Sequence, residues 1–176
     1  NTFDRTTLAY GEKVIRKFAR TNYGITIPYN SAFNNTNDIT VIAWTNFTDT
    51  GYMHWAYRGP LWNAGWLLYQ NNSTERLWGV SANSQAYVVG LSSATTSTWY
   101  FVAGTYNSTN REMHFYRNNA KTATAFPVNV NLISNHGIGI LGSIYTAMLD
   151  DFRVYNRALS SSEISQIYNQ TKSKYQ

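Results

Sequence analysis

Nine carboxylates, three histidines and no cysteine bound the chemistry open to this chain of 176 residues. Hydrolysis of a glycosidic bond needs two carboxylates held roughly 5–9.5 Å apart. Glu12, Glu75 and Glu112 each stand without a second acid near them in sequence, and Glu163 is placed for another task. No G-x-S-x-G elbow offers a serine nucleophile. His54, His114 and His136 lack the paired spacing of a zinc site. The absence of cysteine removes disulfides and thiolate ligands. These residues point away from catalysis and toward recognition.

Recognition of sugars uses aromatic faces that stack on C–H surfaces, flanked by carboxamides, carboxylates and arginine. Residues 52–69 are rich in such rings, and Trp55, Tyr57, Trp62, Trp66 and Tyr69 form the candidate ligand-binding patch, with two or three of them expected at the surface. The competing role for these rings is the core, because Trp and Tyr favour strands in any case. Asn34, Asn46, Asn71, Asn72, Asn107 and Asn169 begin N-x-S/T sequons, candidate glycosylation sites that fall mostly in expected turns. The net charge of +5 is scattered. Its one cluster, Lys13, Arg16, Lys17 and Arg20, matches no nucleic-acid motif and reads as a solvated face. No apolar run reaches the ~18–20 residues of a membrane span.

The elements that must position these side chains are short strands. Ile39–Phe47 is β-branched and apolar on both faces, as in the inner part of a sandwich. Strands are expected at Tyr23–Ile27, Leu77–Val80, Ala86–Leu91, Trp99–Tyr106, Glu112–Arg117, Val128–Leu132 and Gly137–Gly142, with a hairpin or bulged corner in the aromatic stretch. Trp44 and Trp99 are assigned to packing. Residues 1–20 read as an N-terminal strand or arm. Near the other end, Phe152-Arg153-Val154-Tyr155 makes a strand, and Ser160 with Glu163 forms an S-x-x-E capping box. Leu159 and Ile164 are placed as a hydrophobic staple, and Ile164, Ile167 and Tyr168 continue one helical face. The pattern predicts a single domain over 1–176: an all-β, two-sheet antiparallel β-sandwich with a short C-terminal helix.

Several of these motifs, in order, resemble the laminin G-like domains of the concanavalin A-like jelly-roll group. The resembling segments are the Asp150-Asp151 pair with its strand, Tyr155-Asn156-Arg157-Ala158-Leu159 and the capping box, and the run from Trp99 to Tyr106. Where that family often has Asn-Gly or Asp-Gly, this chain has Asn119-Ala120, which predicts a wider hairpin. The group's glucanases carry E-x-D-x-x-E on one strand, and no such run is present. Many laminin G-like domains bind calcium through acids and loop carbonyls. The resemblance therefore implies a structural calcium at Asp150 and Asp151, which Asp38 is placed to complete. The alternative for the pair is to cap the strand and bond Arg153 or Arg157.

The resulting expectation is a non-catalytic, extracellular or surface-exposed module that binds glycans or glycoproteins, without nucleic-acid partners or membrane insertion. A structural module of a surface assembly, making protein–protein contacts with other copies or subunits, is the alternative. A glycosidase with dispersed acids is the third reading.

Overall fold

Strands form where alternate residues find a face to bury. The computed structural model describes residues 25–31, 38–47, 53–59, 64–71, 75–82, 85–91, 94–127, 130, 132, 134, 136–140 and 147–176. Among them lie β1 (Ile25–Ile27), β2 (Ile39–Phe47), β3 (Met53–Arg58), β4 (Ala64–Asn71), β5 (Glu75–Ala82) and β6 (Gln85–Leu91). There follow β7 (Tyr100–Asn107), β8 (Glu112–Arg117), β9 (Ala120–Ala125), β10 (Ile138–Ile140), β11 (Ala147–Tyr155) and α1 (Ser161–Thr171). Two antiparallel sheets result, ordered β1-β10-β3-β4-β5-β6 and β11-β2-β7-β8-β9. This is the expected jelly-roll sandwich.

Strand β2 is buried at every position. Its inward residues Ile39, Val41, Ala43 and Phe47 join Val102, Met113, Phe115 and Leu149 of the same sheet against Trp55, Trp66, Leu68 and Ile140 of the other. Its outward residues Ile42 and Trp44 join Phe101, Ala103 and Tyr116 beneath Leu159, Ile164, Ile167 and Tyr168. One sheet thus separates two apolar layers, and α1 exists to cover the outer one.

The helix starts where the capping box predicts. The Glu163 backbone N–H donates to Ser160 Oγ at 3.3 Å, and the Ser160 N–H donates to the Glu163 carboxylate at 2.9 Å. Thr40, on the outer face of β2, fixes the turn before the helix: its hydroxyl donates to the Arg157 carbonyl at 2.8 Å and accepts the Leu159 N–H at 2.9 Å. At the far end Trp44 Nε1 donates to Thr171 Oγ1 at 2.9 Å, and the Trp44 ring stacks on Tyr175 with centroids 4.2 Å apart. Trp44 is packed as expected, and Trp99 is half-buried against Tyr175.

Two expectations change, and one strand had no sequence signal. The β8–β9 hairpin is tight, since Arg117 pairs with Ala120 across Asn118-Asn119. Asn118 takes the left-handed conformation at φ 52°, a role its short polar side chain tolerates in place of glycine. Its Oδ1 also accepts the Phe101 N–H at 3.2 Å. Val130 and Leu132 lie outside any strand. The Leu132 carbonyl accepts from the buried Arg58 guanidinium at 3.3 Å, as does that of Ser134 at 2.6 Å, so these groups are satisfied by a side chain instead of a ladder. Strand β9, Ala-Lys-Thr-Ala-Thr-Ala, carries too little apolar signal to be read from sequence and forms at the sheet edge. The segment 1–20 and residues Tyr23 and Gly24 lie outside the described residues.

Ser160→Ala is expected to cost about 0.5–2 kcal/mol in urea unfolding, and Ile164→Ala about 2–5 kcal/mol by leaving a cavity under the helix. The Glu163 carboxyl is pushed down from 4.5 to about 2 by its hydrogen bond from Arg157 and then by those from Ser160. A depressed carboxylate stabilises the fold fully above its unfolded pKa and loses that contribution as pH falls through the folded value. Unfolding midpoints should therefore fall between about pH 4.5 and 2, and Glu163→Gln should flatten that part of the profile. An unchanged slope in the variant would count against the linkage.

Candidate functional site

Because α1 begins over the edge of the outer apolar layer, a gap remains between its first turn and the outward residues of β7 and β8. Side chains two apart on a strand share a face. Glu112, His114 and Tyr116 of β8 therefore stand beside Thr105 and Asn107 of β7, with Ala158 to Ser161 and Glu163 as the opposite wall. They enclose an open groove of about 320 Å³, at the lower end of the ~300–1,000 Å³ typical of small-molecule sites.

The groove wall is held in place by hydrogen bonds. Tyr116 Oη and Ser161 Oγ lie 3.0 Å apart, bridging sheet and helix. Glu112 accepts from Asn110 Nδ2 at 2.8 Å and stands 3.4 Å from His114 Nε2. His114 Nδ1 is 3.0 Å from Thr124 Oγ1. Burial, and then the nearby Lys121 charge, push the His114 imidazole below its ordinary range against the opposing pull of Glu112, so it is neutral at pH 7. Glu163 is clamped by Arg157 at 3.1 and 2.6 Å. Thr105 differs from the rest. It is 2% exposed and lines the groove.

Among the described residues, three of the five rings of the aromatic patch are buried. Trp55 and Trp66 are 1% exposed and Tyr69 is 4% exposed, and the two tryptophans are part of the core between the sheets. The irregularity in β3 between His54 and Ala56 accommodates Trp55, whose ring meets Phe47 edge-on at 6.3 Å. Tyr57 is half-buried opposite Gly139, where a Cβ would overlap its ring, so it covers a glycine. Trp62 lies outside the described residues. Rings that fill a core cannot stack on a sugar.

The three aspartates do not converge either. Asp150 pairs across β11 with Trp44, six residues along β2 from Asp38, or about 20 Å at ~3.3 Å per residue. Asp38 instead accepts from the Ser108 N–H at 2.7 Å and the Ser108 hydroxyl at 2.6 Å, tying down the β7–β8 hairpin. The acidic pair builds a bulge in β11: Asp150 accepts the Asp151 N–H at 2.7 Å, and Asp151 sits at φ 49°. Both Asp151 oxygens are bonded to Arg153, each at 2.9 Å. A calcium ion needs six to eight oxygens, and these residues do not fit it. Among the described residues no three His, Asp or Glu side chains gather to hold a metal.

The sequons divide similarly. Asn46 is 4% exposed, with no room for a bulky glycan. Asn107 Oδ1 accepts the Thr109 N–H at 2.9 Å and shapes the hairpin at the groove mouth. Asn169 is exposed on α1. Asn71 ends β4, and Asn34 and Asn72 lie outside the described residues. Thr105, His114 and the serines at the helix start were missed as site residues. The alternation Glu112, His114, Tyr116 was the one legible signal.

The architecture is a two-sheet β-sandwich with a polar groove beside its terminal helix. The family model of the concanavalin A-like lectin/glucanases superfamily matches residues 20–165, and the chain belongs to that family. No curated protein sequence matches it. Among solved structures it is similar to the binding domain of Paraclostridial Mosquitocidal Protein 1, with 18% identity, TM-score 0.74, and coverage of 92% of this chain and 44% of that one. The receptor binding domain of botulinum neurotoxin mosaic serotype C/D gives 16% identity, TM-score 0.72, and coverage of 90% and 46%. The binding domain of botulinum neurotoxin DC, solved in complex with rat synaptotagmin II, gives 15%, 0.63, and 80% and 37%. The chain spans less than half of each of these. At such identity the likeness establishes the fold. No helix among the described residues is long and apolar enough to cross a membrane.

If Trp66 serves the core, Trp66→Ala should lower stability by about 3–5 kcal/mol in chemical denaturation. A variant of wild-type stability would show that the ring is not packed as described.

Proposed function

We propose that the domain is a non-catalytic recognition module, acting outside the cell or at its surface, that binds glycans or glycoproteins through the groove between β8 and α1. The observation that carries this reading is the open groove of about 320 Å³ lined by polar side chains of β7, β8 and the helix start. Around it stand the hydroxyls, carboxamide, imidazole and carboxylates that sugar recognition uses. Membership of a superfamily that includes lectins supports the ligand class, and the receptor-binding roles named for the structural neighbours support a partner at a surface. Fold likeness alone would not suffice.

The acids of the groove are poorly disposed for glycoside hydrolysis. Glu163 is tied to Arg157 and to the helix cap, which holds it ionised and unable to act as a proton donor at neutral pH. That leaves Glu112 without the protonated partner that the two-carboxylate mechanism requires.

Thr105→Val removes the hydroxyl while keeping the shape. It should leave unfolding free energy within about 1 kcal/mol and weaken binding of the best glycan-array ligand roughly two- to tenfold. Absence of any sugar bound by the intact domain, with self-association in sedimentation, would favour the surface-assembly role instead.

A further inference from the structure

The whole chain carries a net charge of +5, which favours anionic partners in general. The groove has the opposite local character. No lysine or arginine lines it. The charge of Glu163 is met by a two-point clamp from Arg157 at 3.1 and 2.6 Å. Glu112 has no such counter-ion: its Oε2 accepts from Asn110 and faces His114, and its Oε1 has no hydrogen-bond partner among the described residues. The Glu112 side chain is 37% exposed, so an incoming group can reach that oxygen. Of the groups nearby, Lys121 is the cation that acts on His114, and it is an exposed residue of β9 outside the lining.

An ammonium at Glu112 would form a charge-assisted hydrogen bond, and a sugar hydroxyl would donate an ordinary one. A sulfate or carboxylate in the same place would meet a like charge, with no lysine or arginine in the lining to offset it.

We propose that the groove selects its saccharide by charge, accepting amino-bearing and neutral sugars and rejecting sulfated or carboxylated ones, with Glu112 as the discriminating residue. This deepens the groove reading above and rests on it. Because Glu112 is partly solvated, the expected preference for an amino sugar over its neutral counterpart is about fivefold, the upper range for an exposed ion pair.

The test compares three probes of equal length by amide NMR titration at low salt: the glucosamine tetramer, the N-acetylglucosamine tetramer and a heparin-derived tetrasaccharide. The expected result is shifts at Glu112, His114 and Ser161 with the first two, the glucosamine tetramer binding about fivefold tighter, and none at these amides with the heparin fragment. Glu112→Gln should bring the first two level. Heparin shifting the same amides as strongly, or an unchanged preference in Glu112→Gln, would overturn the charge selection and leave the groove a sugar site. Silence of all three probes at those amides overturns the groove reading and this one with it.

Discussion

Every other feature of the molecule depends on β2 being buried on both faces. A strand in a two-layer sandwich normally buries one face and shows the other to water. Here Ile42 and Trp44 point away from the sandwich core and are nonetheless 1% and 0% exposed. Something has to cover them, and α1 does so, tethered at one end by Thr40 and at the other by Trp44. The helix has buried residues at Ile164, Ile167, Tyr168 and Thr171. Eleven residues make a helix too short to be stable alone, so the capping box and the docked face hold it together with the sheet it covers.

The groove is a consequence of that docking. A helix crossing a sheet covers only part of it, and the outward residues at the β7–β8 end remain open to solvent beside the helix start. Polar residues occupy that margin because it is neither core nor free surface. The same backbone groups that start α1 thereby become one wall of a site. Ser160 and Glu163 are spent on the cap, whereas the second oxygen of Glu112 is left with bonding capacity beside the gap.

The acidic pair illustrates how a motif can serve the fold. Asp150 and Asp151 mark the family, yet their oxygens go to a backbone N–H and to Arg153, where they hold a bulge. A bulge adds a residue to one strand and re-aims its neighbours. Phe152 thereby enters the core between the sheets. The bulge that the pair holds turns one aromatic ring inward.

The strands, the capping box and the terminal helix were legible in the sequence because each is written in residues two, three or four apart, and such spacing acts through local backbone geometry. The low acid count and the missing paired carboxylates were equally legible. Which tryptophans are core, which acids meet and where a groove opens depend on residues far apart in the chain. Trp55 and Trp66 look alike whether they face a second sheet or water, and only the packing of that sheet decides. Asp38 and Asp150 are both acidic, but the register of β2 and β11 sets them at different points along one strand. Thr105 became a site residue because a helix that begins some fifty-five residues later, at Ser161, settles beside it. Local periodicity carries no information about that approach; the burial of Ile42 and Trp44 supplies its cause.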